Sequence, residues 1–201
     1  MLNDLLNPTH ILALFGYIGL AAIVFAESGL LMGFFLPGDT LLITAGIFAS
    51  QGHLNIATTI AIIIAAAIIG DSVGYLFGIK IGPNLFLRKD SRWFSQKNIE
   101  EAHIFFEKYG GQSIVLARFV PIARTFVPVI AGTSKMKYRK FFTYNVLGGV
   151  LWGTVVTMLG YTLGHIVPNI DNYILPVAVA MFVLSLIPAV MHLRKRADEI
   201  S

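Results

Sequence analysis

The chain has 201 residues, 56% of them hydrophobic and 13% charged, with a mean hydropathy of +0.74. A soluble domain cannot cover that much apolar side chain, so the sequence reads as an integral membrane protein. The absence of cysteine excludes disulfides and thiolate metal sites. The net charge of +4, from 15 basic and 11 acidic residues, does not point to nucleic acid, because the basic residues stand in loops beside apolar stretches. Membrane orientation and anionic head groups account for them there.

Taken in chain order, the first basic residue is Lys80. A signal peptide needs a positive segment ahead of its apolar core, so the N-terminus is expected to be retained. Apolar stretches run at about 10–26, 28–49, 54–79, 112–132, 141–165 and 173–193. The third, fifth and sixth each exceed the ~20 residues a spanning helix needs. The second and fourth are interrupted by Pro37-Gly38 and by the pair Pro121 and Pro128. Proline removes a backbone donor, and irregular backbone at membrane depth survives only where protein or a cavity covers it. Both stretches are therefore expected to be re-entrant hairpins, broken at Pro37, Gly38, Pro121 and Pro128.

Loop charge sets the orientation. The loop at 80–108 carries Lys80, Arg88, Lys89, Arg92, Lys97 and Lys108, the turn at 135–140 carries four more basic residues, and Arg194-Lys195-Arg196 closes the last stretch. The loops at 51–55 and 166–172 have no lysine or arginine. By the positive-inside rule the first three lie in the cytoplasm and the last two outside. This holds when both broken stretches return to the side they started from, and it makes the C-terminus cytoplasmic. The first hairpin then opens outward and the second inward.

The two halves also repeat. Ala45-Gly46 and Ala131-Gly132 are 86 residues apart, as are Gly74-Tyr75-x-x-Gly78 and Gly160-Tyr161-x-x-Gly164. One span separates the hairpins, so the repeat is inverted, a recurring transporter plan. The polar segment at 83–111 begins a helix with the capping pattern Asn98-x-x-Glu101. Ile99, Ala102, Phe105, Phe106 and Tyr109 share one face, as on an amphipathic helix lying on the cytoplasmic interface; the alternative is a partner-docking helix. The fold class is all-α, a polytopic membrane protein with an inverted repeat and two opposed re-entrant hairpins, in a single domain over 1–201. Repeat one covers about 10–82, the interfacial helix 98–110, repeat two 112–166 and a C-terminal span 173–193.

Charge in and beside the broken stretches carries the chemistry. A charged residue at the bilayer centre costs roughly 2.5–3.5 kcal/mol on insertion scales and marks an ion or substrate path. Glu27, just before the first broken stretch, and Asp39 within it are acids able to exchange protons from the outer side. Arg118 and Arg124 in the second are planar donor forks suited to phosphate, so an anionic head group is the expected ligand. The competing reading is structural ion pairing between these acids and bases. Asp71 and Asn145 are candidate supporting residues, and Trp152 and Tyr161 candidate interhelical contacts or interface anchors. Gly70, Gly74, Gly78 and Gly82 recur every fourth residue, a spacing that lets membrane helices approach closely. The five histidines are scattered without ligand spacing, and neither a catalytic motif nor a nucleophile accompanies the arginines. No enzyme activity, metal or cofactor is expected.

These residues resemble the DedA family, also called the SNARE-associated or VTT-domain membrane proteins. The likeness runs through Phe25-Ala-Glu27-Ser-Gly, Phe35-Leu-Pro-Gly-Asp39, Ala45-Gly46 and Gly70-Asp71-x-x-Gly-Tyr75-x-x-Gly78. It continues through Arg118-Phe-x-Pro121-x-x-Arg124-Thr, Ala131-Gly132 and Phe141-x-x-Tyr-Asn145-x-x-Gly-Gly-x-x-Trp152. The resemblance implies a lipid carrier of the bacterial inner membrane, with undecaprenyl phosphate returned to the cytoplasmic leaflet and coupling to protons or the membrane potential. It implies proton-coupling roles for Glu27 and Asp39 and phosphate binding at Arg118 and Arg124. Expected partners are membrane lipids, an anionic polyprenyl phosphate or phospholipid head group, and protons; self-association into a homo-oligomer is left open. The alternatives are a general phospholipid scramblase, a proton-coupled solute exporter, and a membrane scaffold that transports nothing. Some branches of the family have an extra proline between the two acids, where this chain has Gly33-Phe34; the departure bears on which lipid is carried.

Overall fold

The structure, a computed structural model, describes residues 8–29, 38–85, 104 and 106–167. These residues are helical and contain no strand. In chain order α1 is Pro8–Gly29, α2 Gly38–Ser50, α3 Ile56–Leu85, α4 Gln112–Ala117, α5 Pro121–Thr133 and α6 Tyr138–Ile166. Pro37, most of the expected interfacial helix and the expected span at 173–193 lie outside the described residues.

Two helices, Ile56–Lys80 within α3 and Tyr138–Ile166, are long and apolar enough to cross a membrane. At 1.5 Å per residue the 30-residue α3 and the 29-residue α6 are each about 43–45 Å long, beyond the ~30 Å of a hydrocarbon core. Both turn large apolar side chains outward: Ile69, Leu76 and Ile79 on α3, and Leu147, Leu151 and Leu159 on α6. Such a continuous apolar surface suits contact with lipid tails and would be a liability in water. Asn55 starts α3 by accepting the Thr58 backbone N–H at 3.1 Å, and its own N–H donates to the Tyr17 hydroxyl of α1 at 2.8 Å. Gly52, at φ +81°, supplies the left-handed turn that brings the chain out of α2.

Between α4 and α5 the chain breaks, and sequence explains where. Val120 precedes a proline and is extended, at φ −118° and ψ 110°, and Pro121 takes the first position of α5, where a missing N–H costs nothing. Pro128 departs from expectation: it lies inside α5, which continues to Thr133, so it does not break the segment. It packs towards Gly74 of α3. A proline inside a membrane helix persists where neighbouring helices hold the backbone in place.

Packing between helices is set by glycine. A Cβ on Gly46 of α2 would strike the backbone of Thr157 and Tyr161 in α6, and one on Gly160 would strike Ile43 in return. A Cβ on Gly132 of α5 would likewise strike Tyr75 and Ile79 in α3, and one on Gly78 would strike Val129. The short helix of each half thus lies against the long helix of the other. Gly70 meets Phe25, Ser28 and Gly29 of α1, so Gly70, Gly74 and Gly78 of the small-residue row each face a neighbouring helix, as their spacing predicts. One apolar cluster gathers Val24, Leu42, Ala45, Ile63 and Trp152, and a second gathers Tyr75, Ile114, Ala117, Val127 and Phe141.

Candidate functional site

Arg124 stands in the first turn of α5 and reaches two acids. Its Nη1 donates to Asp39 Oδ1 at 2.9 Å, and its Nη2 donates to Glu27 Oε1. Glu27 is in the last turn of α1 and buried; Asp39 is in the first turn of α2, where the helix dipole favours a negative charge. The indole Nε1 of Trp152 on α6 donates to the same Asp39 oxygen at 3.1 Å. Its ring lies 5.6 Å from Arg124 Cζ, a cation–π distance. Gly38 has to be glycine for a local reason: a Cβ there would land on the Glu27 carboxylate. Gly38, the first residue of α2, thus leaves the space that the Glu27 carboxylate occupies beside Asp39.

Arg118 closes α4 and forms a second group. Its Nη2 donates to Asp71 Oδ2 of α3 and to Asn145 Oδ1 of α6, each at 2.5 Å. Asn145 Nδ2 donates in turn to the Ile68 carbonyl at 3.0 Å, so one amide ties α3, α4 and α6 together. Gly148 leaves room for the arginine stem, since a Cβ at that position would lie 3.0 Å from Arg118 Cδ and 3.1 Å from Nε. Arg118 Cζ is 5.9 Å from the Trp152 ring. Trp152 is thereby shared by both guanidinium groups.

Three carboxylates face two guanidinium groups in these contacts, a surplus of one negative charge when all are ionised. Glu27 Oε2, Arg118 Nε and Arg124 Nε are buried without a hydrogen-bond partner, so the network is not saturated. A buried and incompletely satisfied ionic network is costly and able to rearrange when a further charge or proton arrives. Of the residues singled out in the sequence, Glu27, Asp39, Asp71, Arg118, Arg124 and Asn145 converge here. Gly38 borders Glu27, Pro121 sets the break, and Pro128 stands apart against α3. Glu27 and Asp39 both pair with Arg124, while Arg118 takes Asp71. Tyr161 contacts His165 edge-on at 4.6 Å and does not join the cluster. No group of three metal-ligating residues occurs among the described residues. Sequence reading undervalued Trp152, although Asn145, Gly148 and Trp152 follow the i, i+3, i+7 spacing of one helical face.

The model of the VTT domain matches residues 36–162, from the start of α2 through most of α6. The chain belongs to the DedA family. Protein DedA of Escherichia coli K12 is 42% identical over 185 residues, covering 90% of this chain and 84% of that one. An uncharacterized membrane protein of Mycobacterium tuberculosis CDC 1551 / Oshkosh is 43% identical over 196 residues, covering 94% and 86%. Inner membrane protein YqjA of E. coli K12 is 36% identical over 165 residues, covering 81% and 73%. No solved structure matches. The DedA-family membership and the membrane names of these relatives agree with the two long apolar helices and their outward apolar faces.

Proposed function

We propose that the chain is a lipid-phosphate transporter of the bacterial inner membrane, a flippase that returns undecaprenyl phosphate from the outer to the cytoplasmic leaflet with coupling to protons or the membrane potential. The observation that carries this reading is the ion-paired cluster of Glu27, Asp39, Asp71, Arg118 and Arg124 between apolar helices, in which Glu27, Asp71 and Arg118 are buried. Fastening helices in a membrane does not require charge, since apolar packing does it at lower cost. Charge kept there at a cost of several kcal/mol is the mark of a substrate or ion path. A guanidinium suits a phosphate head group because it stays protonated and presents parallel donors. The helix starts at Gly38 and Pro121 add backbone N–H groups, which favour an anion. Glu27 and Asp39 are the groups that would take up protons from outside.

The same reading includes opposed re-entrant hairpins in an inverted repeat, with the C-terminus in the cytoplasm. It is supported by the 13-residue α2 and α5, each about 20 Å long and too short to cross a ~30 Å core alone. The crossed packing of Gly46 on α6 and Gly132 on α3 supports it as well, because it relates the halves by exchange of short helices. The test is a proteoliposome flip assay of the purified chain with undecaprenyl phosphate, phosphatidylethanolamine and uncharged polyprenol offered separately. Transport of the polyprenyl phosphate alone is the expected result. Equal movement of phosphatidylethanolamine would make the protein a scramblase, and movement of none would make it a scaffold.

A further inference from the structure

The two arginines are held unequally. Arg118 is closed in: its side chain is 4% exposed, its partner Asp71 6%, and Asn145 is fully buried. The backbone of α6 at Gly148 leaves no space beside its Nε. Arg124 is also largely covered, at 11%, but the Asp39 side chain it holds is 47% exposed. Among the three paired carboxylates Asp39 is thus the least enclosed, with Glu27 at 2% and Asp71 at 6%. It sits in the first turn of a helix, and Trp152 still contacts Arg124 from the other helix.

We infer that the arginines have different roles: Arg124 exchanges its partner Asp39 for the phosphate of the ligand, and Arg118 with Asp71 and Asn145 is a fixed clamp that positions α4, α3 and α6 around it. The inference rests on the lipid-phosphate reading and assigns the ligand to one guanidinium. Physically, a phosphate oxygen replaces a carboxylate oxygen on Nη1, a charge-assisted bond of the same kind. Glu27 stays on Nη2, so Arg124 is never stranded. At Arg118 the same exchange would require opening three helices. When Asp39 leaves Arg124, the hydrogen bond from Trp152 Nε1 is disturbed, which makes Trp152 a built-in reporter.

The experiment uses the full chain in detergent with Trp93→Phe, leaving Trp152 as the only tryptophan, and titrates farnesyl phosphate against farnesol while following indole emission and thermal stability. Farnesyl phosphate should bind, shift the emission, and be weakened about tenfold or more by Arg124→Lys, since an ammonium cannot offer the parallel fork. Asp39→Asn should tighten phosphate binding about tenfold, because it removes the competing charge. Asp71→Asn should lower stability yet change phosphate affinity less than about threefold, since its arginine does not meet the ligand. Asn145→Ala serves as a second clamp variant in case Asp71→Asn does not fold. Tightening by Asp71→Asn or Asn145→Ala as large as that by Asp39→Asn would overturn the assignment while leaving the lipid-phosphate reading standing. Failure of the parent chain to prefer farnesyl phosphate over farnesol would remove that reading, and the assignment with it.

Discussion

Breaking the Arg118–Asp71 pair should cost far more from one side than from both. The two side chains are 2.5 Å apart and 4% and 6% exposed, so neither charge has water to fall back on. Asp71→Leu strands the guanidinium and Arg118→Met strands the carboxylate, and removing one partner of a buried pair costs about 3–5 kcal/mol. The double variant Asp71→Leu/Arg118→Met strands no charge. Its main remaining loss is the donor to Asn145 Oδ1, because Asn145 Nδ2 keeps its bond to the Ile68 carbonyl. A buried acceptor left without a donor costs about 1–3 kcal/mol, so the double variant should be more stable than either single one. The coupling energy in the cycle should be at least ~3 kcal/mol. Reversible unfolding in mixed micelles of dodecyl maltoside and dodecyl sulfate, followed by far-ultraviolet circular dichroism, measures it. If the double variant loses as much as the two single losses combined, the pair is not coupled and the clamp does not exist.

Other consequences follow from the same contacts. Gly46→Leu and Gly132→Leu should each destabilise the protein by more than the ~1–3 kcal/mol typical of overpacking, because the added side chain meets backbone rather than a flexible neighbour; melting temperature in detergent is the measure. Glu27→Gln and Asp39→Asn fix the uncharged form, and each should keep lipid-phosphate binding yet abolish the response of transport to an imposed pH gradient in proteoliposomes; a normal response in both would remove the acids from proton coupling. In this cysteine-free chain, a cysteine at Gly52 should react with an impermeant thiol reagent from outside, whereas one at Ser134 should react only after the membrane is opened. Labelling of both from one side would defeat the inverted repeat.

What the sequence made legible was whatever apolar surroundings render conspicuous. Five charges in or beside apolar stretches stand out because bilayer cost keeps such residues rare, and all five are ion-paired in the structure, in two groups. The third and fifth apolar stretches are legible by length alone and appear as α3 and α6. Pairing was not legible. Arg118 and Arg124 are six residues apart, and nothing local tells which acid each takes. The choice is made by space: Gly38 lets Glu27 close on the start of α2, and Gly148 lets the Arg118 stem lie against α6. Pro128 misled for a related reason, since a proline reads as a break only when no neighbouring helix supports the turn around it.

The unequal enclosure of the two arginines then follows from the chain path. Arg118 ends a six-residue helix and is covered by α3 and α6, the two long helices, so its partners are set once those helices pack. Arg124 begins the helix after the break and faces the ends of α1 and α2, where Glu27 and Asp39 are supplied by chain termini of helices rather than by their middles. Helix ends move at lower cost than helix middles, because fewer backbone hydrogen bonds hold them. The same arrangement explains why Trp152 belongs to both groups: it is anchored on α6 with Asn145, seven residues earlier on the same face, yet it hydrogen-bonds to Asp39 at the start of α2. A firm clamp on one side of the indole and an exchangeable acid on the other give the cluster a direction in which to open, which a symmetric set of ion pairs would lack.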